Sequence, residues 1–429
     1  MDLSHTLCLL LCAAALTVSG VLGKDENNME YVWTKQSLPV LLDAHTQLLN
    51  TPMFRDQEED EEGPGSKRFC GIECQSTLPP MDRSEQERIL GYETMYENGT
   101  RTHTDITLQG LNKSAGVAAN APKNTRRKRQ VYGADGRFVI SDSQFSTNYP
   151  FSSAVRLSTG CSGVLVSPKH VLTAAHCIHD GKDYLEGSRK LKVGVLQIKT
   201  KRRGGGRKRG GRGRGGRRGQ LEEKEMSERG GDGDKKKKAN RIRRSAEPRK
   251  QPVFRWARVK QTRIPQGWIL PQSSAKSVSP DYNYALLELK RPLMQRYMEL
   301  GVAPSSTPLA RIHFSGYDAD KSLLDGRGDG KVVYRFCSVS KESNDLMYQH
   351  CDAQAGATGA GVYIRLRQQD GDAGKKGKWQ RRVIGVFTGH QWMEDGDQTD
   401  FNVAVRITPT KYAQICHWIH GDPSLCKEI

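Results

Sequence analysis

Leu172-Thr173-Ala174-Ala175-His176-Cys177 ends a short apolar run on a histidine and a cysteine. Further on, Asn283-Tyr284-Ala285-Leu286-Leu287-Glu288-Leu289 sets an asparagine at the head of a second apolar run. Gly356-Ala357-Thr358-Gly359-Ala360-Gly361 then places one hydroxyl residue in a glycine-rich frame. Histidine, then carboxylate or amide, then hydroxyl is one of the chain orders in which a nucleophilic triad is assembled. In such a triad the histidine takes the hydroxyl proton, and a carboxylate holds the imidazole in the tautomer that can do so. Both partners depart from that chemistry here. Threonine adds a methyl on Cβ that stiffens χ1, and threonine nucleophiles typically act from a chain N-terminus with their own amine as base. Thr358 is internal.

The pattern around these segments is all-β. Val155–Leu157, Gly163–Val166, Leu191–Ile198, Trp256–Ile264 and Tyr284–Leu289 are short strand-like runs separated by turn signals. A second set comes at Arg311–Phe314, Val332–Val339, Gly361–Leu366, Val383–Phe387 and Phe401–Val405. Tyr412, Ile415, Cys416 and Ile419 recur at helical spacing within Thr410–His420. Two antiparallel six-stranded β-barrels and a C-terminal helix account for this order.

From about Arg126 to the C-terminus the chain resembles the chymotrypsin-like (trypsin-like, peptidase S1) family. The resemblance is carried by LTAAHC, by YALLELKR at Tyr284–Arg291, by VYRFCSVS at Val333–Ser340, by the frame around Thr358 and by FNVAVRITP at Phe401–Pro409. It implies that His176 stands where the general base stands, Asn283 in the slot of the orienting aspartate and Thr358 in the slot of the serine. The backbone N–H groups of Gly356 and Thr358 would form the oxyanion hole. Asp281 lies two residues before Asn283, on the same side of an extended chain, and is the alternative carboxylate. His390, in Gly389-His390-Gln391-Trp392, falls where a specificity pocket would be and has a pocket or a packing role. The family pattern pairs Cys161 with Cys177; Cys337 with Cys351 and Cys416 with Cys426 are the expected pairs of the second half. No metal or cofactor is expected.

Residues 1–23 read as a signal peptide, with an apolar run from Leu7 to Val18 that is too short to span a membrane. No later segment approaches 18 apolar residues, so a secreted, extracellular protein is expected. Residues 24–129 read as a largely irregular pro-region, or as an unprocessed extension. They hold an acidic run from Asp56 to Glu62, Cys70 and Cys74, which close a small ring or pair elsewhere, and glycosylation sequons at Asn98 and Asn112. The region ends in Arg126-Arg127-Lys128-Arg129, a stop of the kind furin-like convertases cut, which would expose Gln130. In trypsin-like zymogens the new ammonium pairs with a carboxylate just before the serine. Ala357 holds that place here, and an N-terminal glutamine can cyclise and lose its charge.

The protease-like domain is expected over 130–429, interrupted at 199–250. That stretch carries 22 Lys and Arg against 7 Asp and Glu, and so supplies +15 of the chain's formal +19. Its RRGGGRKRGGRGRGGRRG core is low in complexity and cannot bury a core, so a flexible surface loop is expected. Behind a signal peptide the matching ligand is an extracellular polyanion such as a heparin-like glycosaminoglycan rather than nucleic acid; the alternative is a solvated loop without a dedicated partner. Arg244 closes a second basic site, RIRR. Three functions are compatible with these residues. The first is a secreted pseudoprotease that binds rather than cuts, with an unknown protein partner at the degenerate site. The second is a weak endopeptidase using Thr358 with His176. The third is a matrix-binding protein in which the barrels carry the basic loop.

Overall fold

The computed structural model describes residues 31–32, 36–52, 54, 82–110, 136–198, 252–269, 280–304, 309, 311–319, 331–367, 379–395 and 397–429, with backbone alone at 31–32 and 391–400. The signal segment, Cys70, Cys74, Asn112, both basic processing sites with Arg129, Gln130 and Arg244, and the whole of 199–250 lie outside them.

Part of the N-terminal region is regular, which its polar composition conceals. It supplies β1 (Tyr31–Val32), β2 (Val40–Leu49), α1 (Arg83–Leu90), β3 (Tyr92–Tyr96) and β4 (Arg101–Gln109). In β4 the sequence Arg-Thr-His-Thr-Asp-Ile-Thr-Leu-Gln buries only Thr104, Ile106 and Leu108, on the alternate positions of one face. Asp82 caps α1 by accepting from Glu85 N–H at 2.7 Å.

After β5 (Phe138–Ile140) and a single helical turn, α2 (Ser143–Ser146), six strands form the first barrel. They are β6 (Ala154–Leu157), β7 (Ser162–Leu165), β8 (His170–Thr173), β9 (Lys192–Ile198), β10 (Pro252–Pro265) and β11 (Ala285–Leu289). The ladder runs β11-β8-β7-β6-β9-β10 and returns to β11, so the ring is closed by hydrogen bonds. Ile198 and Pro252 are register partners. The basic segment therefore leaves and re-enters at the tip of the β9–β10 hairpin without interrupting the barrel.

The second half holds β12 (Glu299–Leu300), β13 (Ile312–Gly316), β14 (Val332–Cys337), β15 (Val339–Glu342), β16 (Leu346–Gln349), β17 (Gly361–Arg367), β18 (Trp379–Asp395) and β19 (Asp397–Arg406). The path β15-β16-β19-β18-β17-β13-β14 curls like a barrel, with β5 added beyond β14, and leaves its ladder open between β14 and β15. Those two strands are one stretch of chain, separated only by Ser338. The helix α3 (Pro409–His420) comes next, with Thr408 capping it, proline at N1 and left-handed Gly421 at its end.

Candidate functional site

Register places the first two site residues. Ala285 pairs with Thr173, so the chain just before β11 lies beside the turn Ala175–Cys177 that follows β8. Asn283 thereby meets His176. Its Oδ1 accepts from the backbone N–H of His176 at 3.1 Å, and its Nδ2 stands 2.8 Å from His176 Nδ1. Turning the amide over would set its NH2 against that backbone N–H, donor against donor. Nδ1 lies 3.1 Å from Oδ1 and 2.8 Å from Nδ2; the shorter contact is to the amide nitrogen, which can only donate, so the amide donates to Nδ1 and the proton of the neutral ring sits on Nε2. Burial holds His176 below the ordinary histidine value. The ring is neutral in the tautomer whose Nε2 already carries the proton that a general base would have to accept. Asn283, rather than Asp281, occupies the position beside Nδ1.

Thr358 belongs to the second half and is held by the first. Ser162, at the start of β7, donates its N–H to Thr358 O at 2.7 Å and its hydroxyl to Gly356 O at 2.7 Å. The same hydroxyl accepts from Tyr317 N–H at 2.8 Å. Gly359 donates to Phe387 O at 2.7 Å. A Cβ on Gly359, whose φ is +87°, would stand 2.2 Å from Ser162 O and 2.3 Å from Thr173 Oγ1, so this position requires glycine. Among the described residues neither Gly356 N–H nor Thr358 N–H is given to an acceptor. These two N–H groups stay free to donate, while Thr358 Oγ1 makes no hydrogen bond to His176.

The position just before Thr358 holds no carboxylate. Ala357 is fully buried and neutral. The chain after the tetrabasic stop is anchored by internal groups instead: Gly136 N–H donates to Asp352 Oδ2 at 2.7 Å and Arg137 Nη1 to Asp318 Oδ2 at 2.9 Å. Asp318 also pairs with Arg335, a guanidinium only 1% exposed, whose Nε donates to Asp352 O at 2.5 Å. Local sequence all but conceals this cluster. An arginine and an aspartate inside apolar strand-like runs, Val333-Tyr334-Arg335-Phe336 and Gly316-Tyr317-Asp318, are its only trace.

Disulfides join Cys161 to Cys177, Cys337 to Cys351 and Cys416 to Cys426. The first ties the entry of β7 to the turn that carries His176. Asn98 is exposed at the β3–β4 turn, with its Oδ1 accepting from Thr100 N–H at 3.0 Å. His390 is exposed on β18, opposite Asn402 in register. Among the described residues there is no cluster of metal-ligating side chains, and no helix is long and apolar enough to cross a membrane.

The closed barrel, the curled second sheet and a His–Asn–Thr set drawn from both define a trypsin-like serine protease scaffold. A family model described as Trypsin matches residues 139–212. Inactive serine protease 35 of Mus musculus is 48% identical over 416 residues, covering 94% of each chain. The Homo sapiens protein of that name is also 48% identical, over 94% of each. Serine protease 23 of Homo sapiens is 44% identical over 92% of each. A solved structure of a Glu endopeptidase in complex with MPD is 18% identical, with a TM-score of 0.41 over 67% of this chain and 97% of that one. The chain belongs to the trypsin-like serine protease family, in the group of inactive serine protease 35 and serine protease 23. It is a catalytically inactive protease homologue.

Proposed function

We propose that the protein is a secreted pseudoprotease that acts by binding, with a protein partner at the degenerate site and extracellular polyanions on the basic segment 199–250. The supporting observation is the Asn283 amide, which fixes His176 in the tautomer that cannot deprotonate Thr358. The disulfides and an exposed sequon at Asn98 fit passage through an oxidising secretory route. Convertase cleavage after Arg129 matures the chain, and Gln130 cyclises. Because Gly136 and Arg137 are anchored by Asp352 and Asp318, this cut leaves the oxyanion backbone as it was.

The test is exposure of the secreted, processed protein to a fluorophosphonate probe and to peptide libraries. No labelling and no cleavage are expected; stoichiometric labelling at Thr358 would sink the proposal. Heparin retention of the wild type should fall sharply as salt rises. It should be lost when 199–250 is replaced by a short Gly/Ser link.

A further inference from the structure

The strand β10 is longer than the barrel requires, and the N-terminal region uses the excess. β9 covers one edge as far as Arg258↔Lys192. β11 holds the opposite edge from Val259 to Arg263. The edge that β9 vacates is taken by β3, from Gln261↔Tyr96 to Pro265↔Tyr92. Backbone bonds continue past the strand: Gln266 N–H donates to Gly91 O at 2.6 Å and Gly267 N–H to Ile89 O at 2.9 Å. Gly267 has no room for a side chain, since a Cβ would lie 2.6 Å from Ile89 and 2.5 Å from Tyr282.

The packing is continuous as well. Leu41, Leu90, Tyr92, Met95, Ile106 and Leu108 are each at most 6% exposed and share one apolar cluster with the barrel and α3. On α3, Gln414 Nε2 donates to Leu90 O, and His417 Nε2 lies 2.9 Å from Asp43 Oδ1. Trp418 meets Tyr92 edge-on with ring centroids 5.4 Å apart. Gln36 and the last residue, Ile429, exchange backbone hydrogen bonds. β1 pairs with β17, so the region reaches the second half too. None of these contacts is covalent. All six cysteines of 130–429 are paired with one another, which leaves Cys70 and Cys74 no partner there.

We propose that the region before the tetrabasic stop is a permanent, non-covalent second chain of the mature protein and not a removable propeptide. The idea rests on the processing proposed under the function and adds the fate of the two pieces once the chain is cut. An edge strand stripped of β3 would expose unpaired N–H and C=O groups beside a newly opened apolar face, an arrangement that folded proteins avoid. The barrel therefore keeps its cover, and the acidic run from Asp56 to Glu62 stays on the same particle as the basic segment.

The experiment replaces 126–129 in the full chain with the recognition sequence of a site-specific protease, so that cutting does not depend on a convertase. The purified protein is cut to completion, verified by intact mass, reduced mildly, diluted and run on a size-exclusion column. Both fragments should co-elute in equal amounts. An N-terminal fragment that elutes alone overturns the proposal. Asp43→Ala combined with Tyr92→Ala should raise the dissociation rate about ten-fold or more; an unchanged rate overturns the assigned surface. The mass of the wild-type secreted protein reports the natural cut separately.

Discussion

The first half closes its sheet on itself through the backbone ladder between β10 and β11. The second half leaves its ladder open between β14 and β15 and bridges that region with Cys337–Cys351 and the bond from buried Arg335 to Asp352 O, while Asp318 neutralises the same guanidinium. One half closes its ring by backbone bonds, the other spans its opening with a few side chains. Each has nevertheless lost chemistry in the same manner. The first holds His176 with Asn283 rather than a carboxylate behind it; the second holds the glycine-rich frame with Ala357 and Thr358 in place of a carboxylate and a serine. The bonds from Ser162 to Thr358 O and Gly356 O hold the frame around position 358 whatever residue stands there.

The largest effect should come from restoring both halves together. Thr358→Ser supplies a nucleophile to a histidine that cannot take its proton, and Asn283→Asp supplies a base with no serine. In trypsin-type triads the aspartate-to-asparagine change alone lowers turnover about 10⁴-fold. The double variant should therefore exceed Thr358→Ser by about 10⁴-fold in peptide hydrolysis. Equal rates for those two proteins would show that Asn283 is not the obstacle and that the two losses are unconnected.

Next comes the structural asymmetry. Asp318→Ala removes the carboxylate that two arginines share and leaves Arg335 charged and buried. Breaking such a pair typically costs about 3–5 kcal/mol, measured here as a shift in urea denaturation. Asn283→Ala removes a neutral amide from the part-buried His176 and should cost about 1–3 kcal/mol. If the two losses match, the second half does not depend on its buried ion pair.

How much of this was legible in the residues follows the same division. The triad positions, the insertion between two strands of the first barrel and the α3 helix announce themselves through local words such as LTAAHC or through 3.6-residue spacing. β16, at Leu346–Gln349, is too short to show a period. The N-terminal strands carry no clear period, because β4 buries threonine beside isoleucine and leucine and β2 is exposed along most of its length. Their stability comes from partners far along the chain, Trp418 and Gln414 among them, and no window of local sequence contains those contacts. The site's chemistry could be read from residue types. Its tautomer could not, because that depends on which amide atom faces a backbone N–H.

Acid should strain both halves, the first more than the second. Burial pushes His170 down to about 4 and His179 down to about 3 in the first barrel, and His313 down to about 3 in the second sheet. As pH falls below 6.5, the ordinary value, the unfolded chain binds protons that these rings refuse when folded. Stability then declines by up to about 1.4 kcal/mol per pH unit for each histidine until the folded values are reached. Hydrogen exchange at pH 7 and pH 5.5 should show β7 and β8 losing more protection than β13. Equal losses would remove the distinction.

The smallest effect on the fold should come from the largest deletion. The basic segment joins Ile198 to Pro252, which are already register partners at a hairpin tip, so barrel contacts do not depend on the residues between them. Cutting the roughly fifty-residue connection to about six residues halves it three times, and each halving lowers the closure penalty by about 0.6 kcal/mol. The shortened protein should unfold at the same urea concentration or slightly higher, with a gain of no more than about 2 kcal/mol. A loss of stability instead would mean that the segment packs on the barrel, and the first half would then rely on more than its own closed ladder.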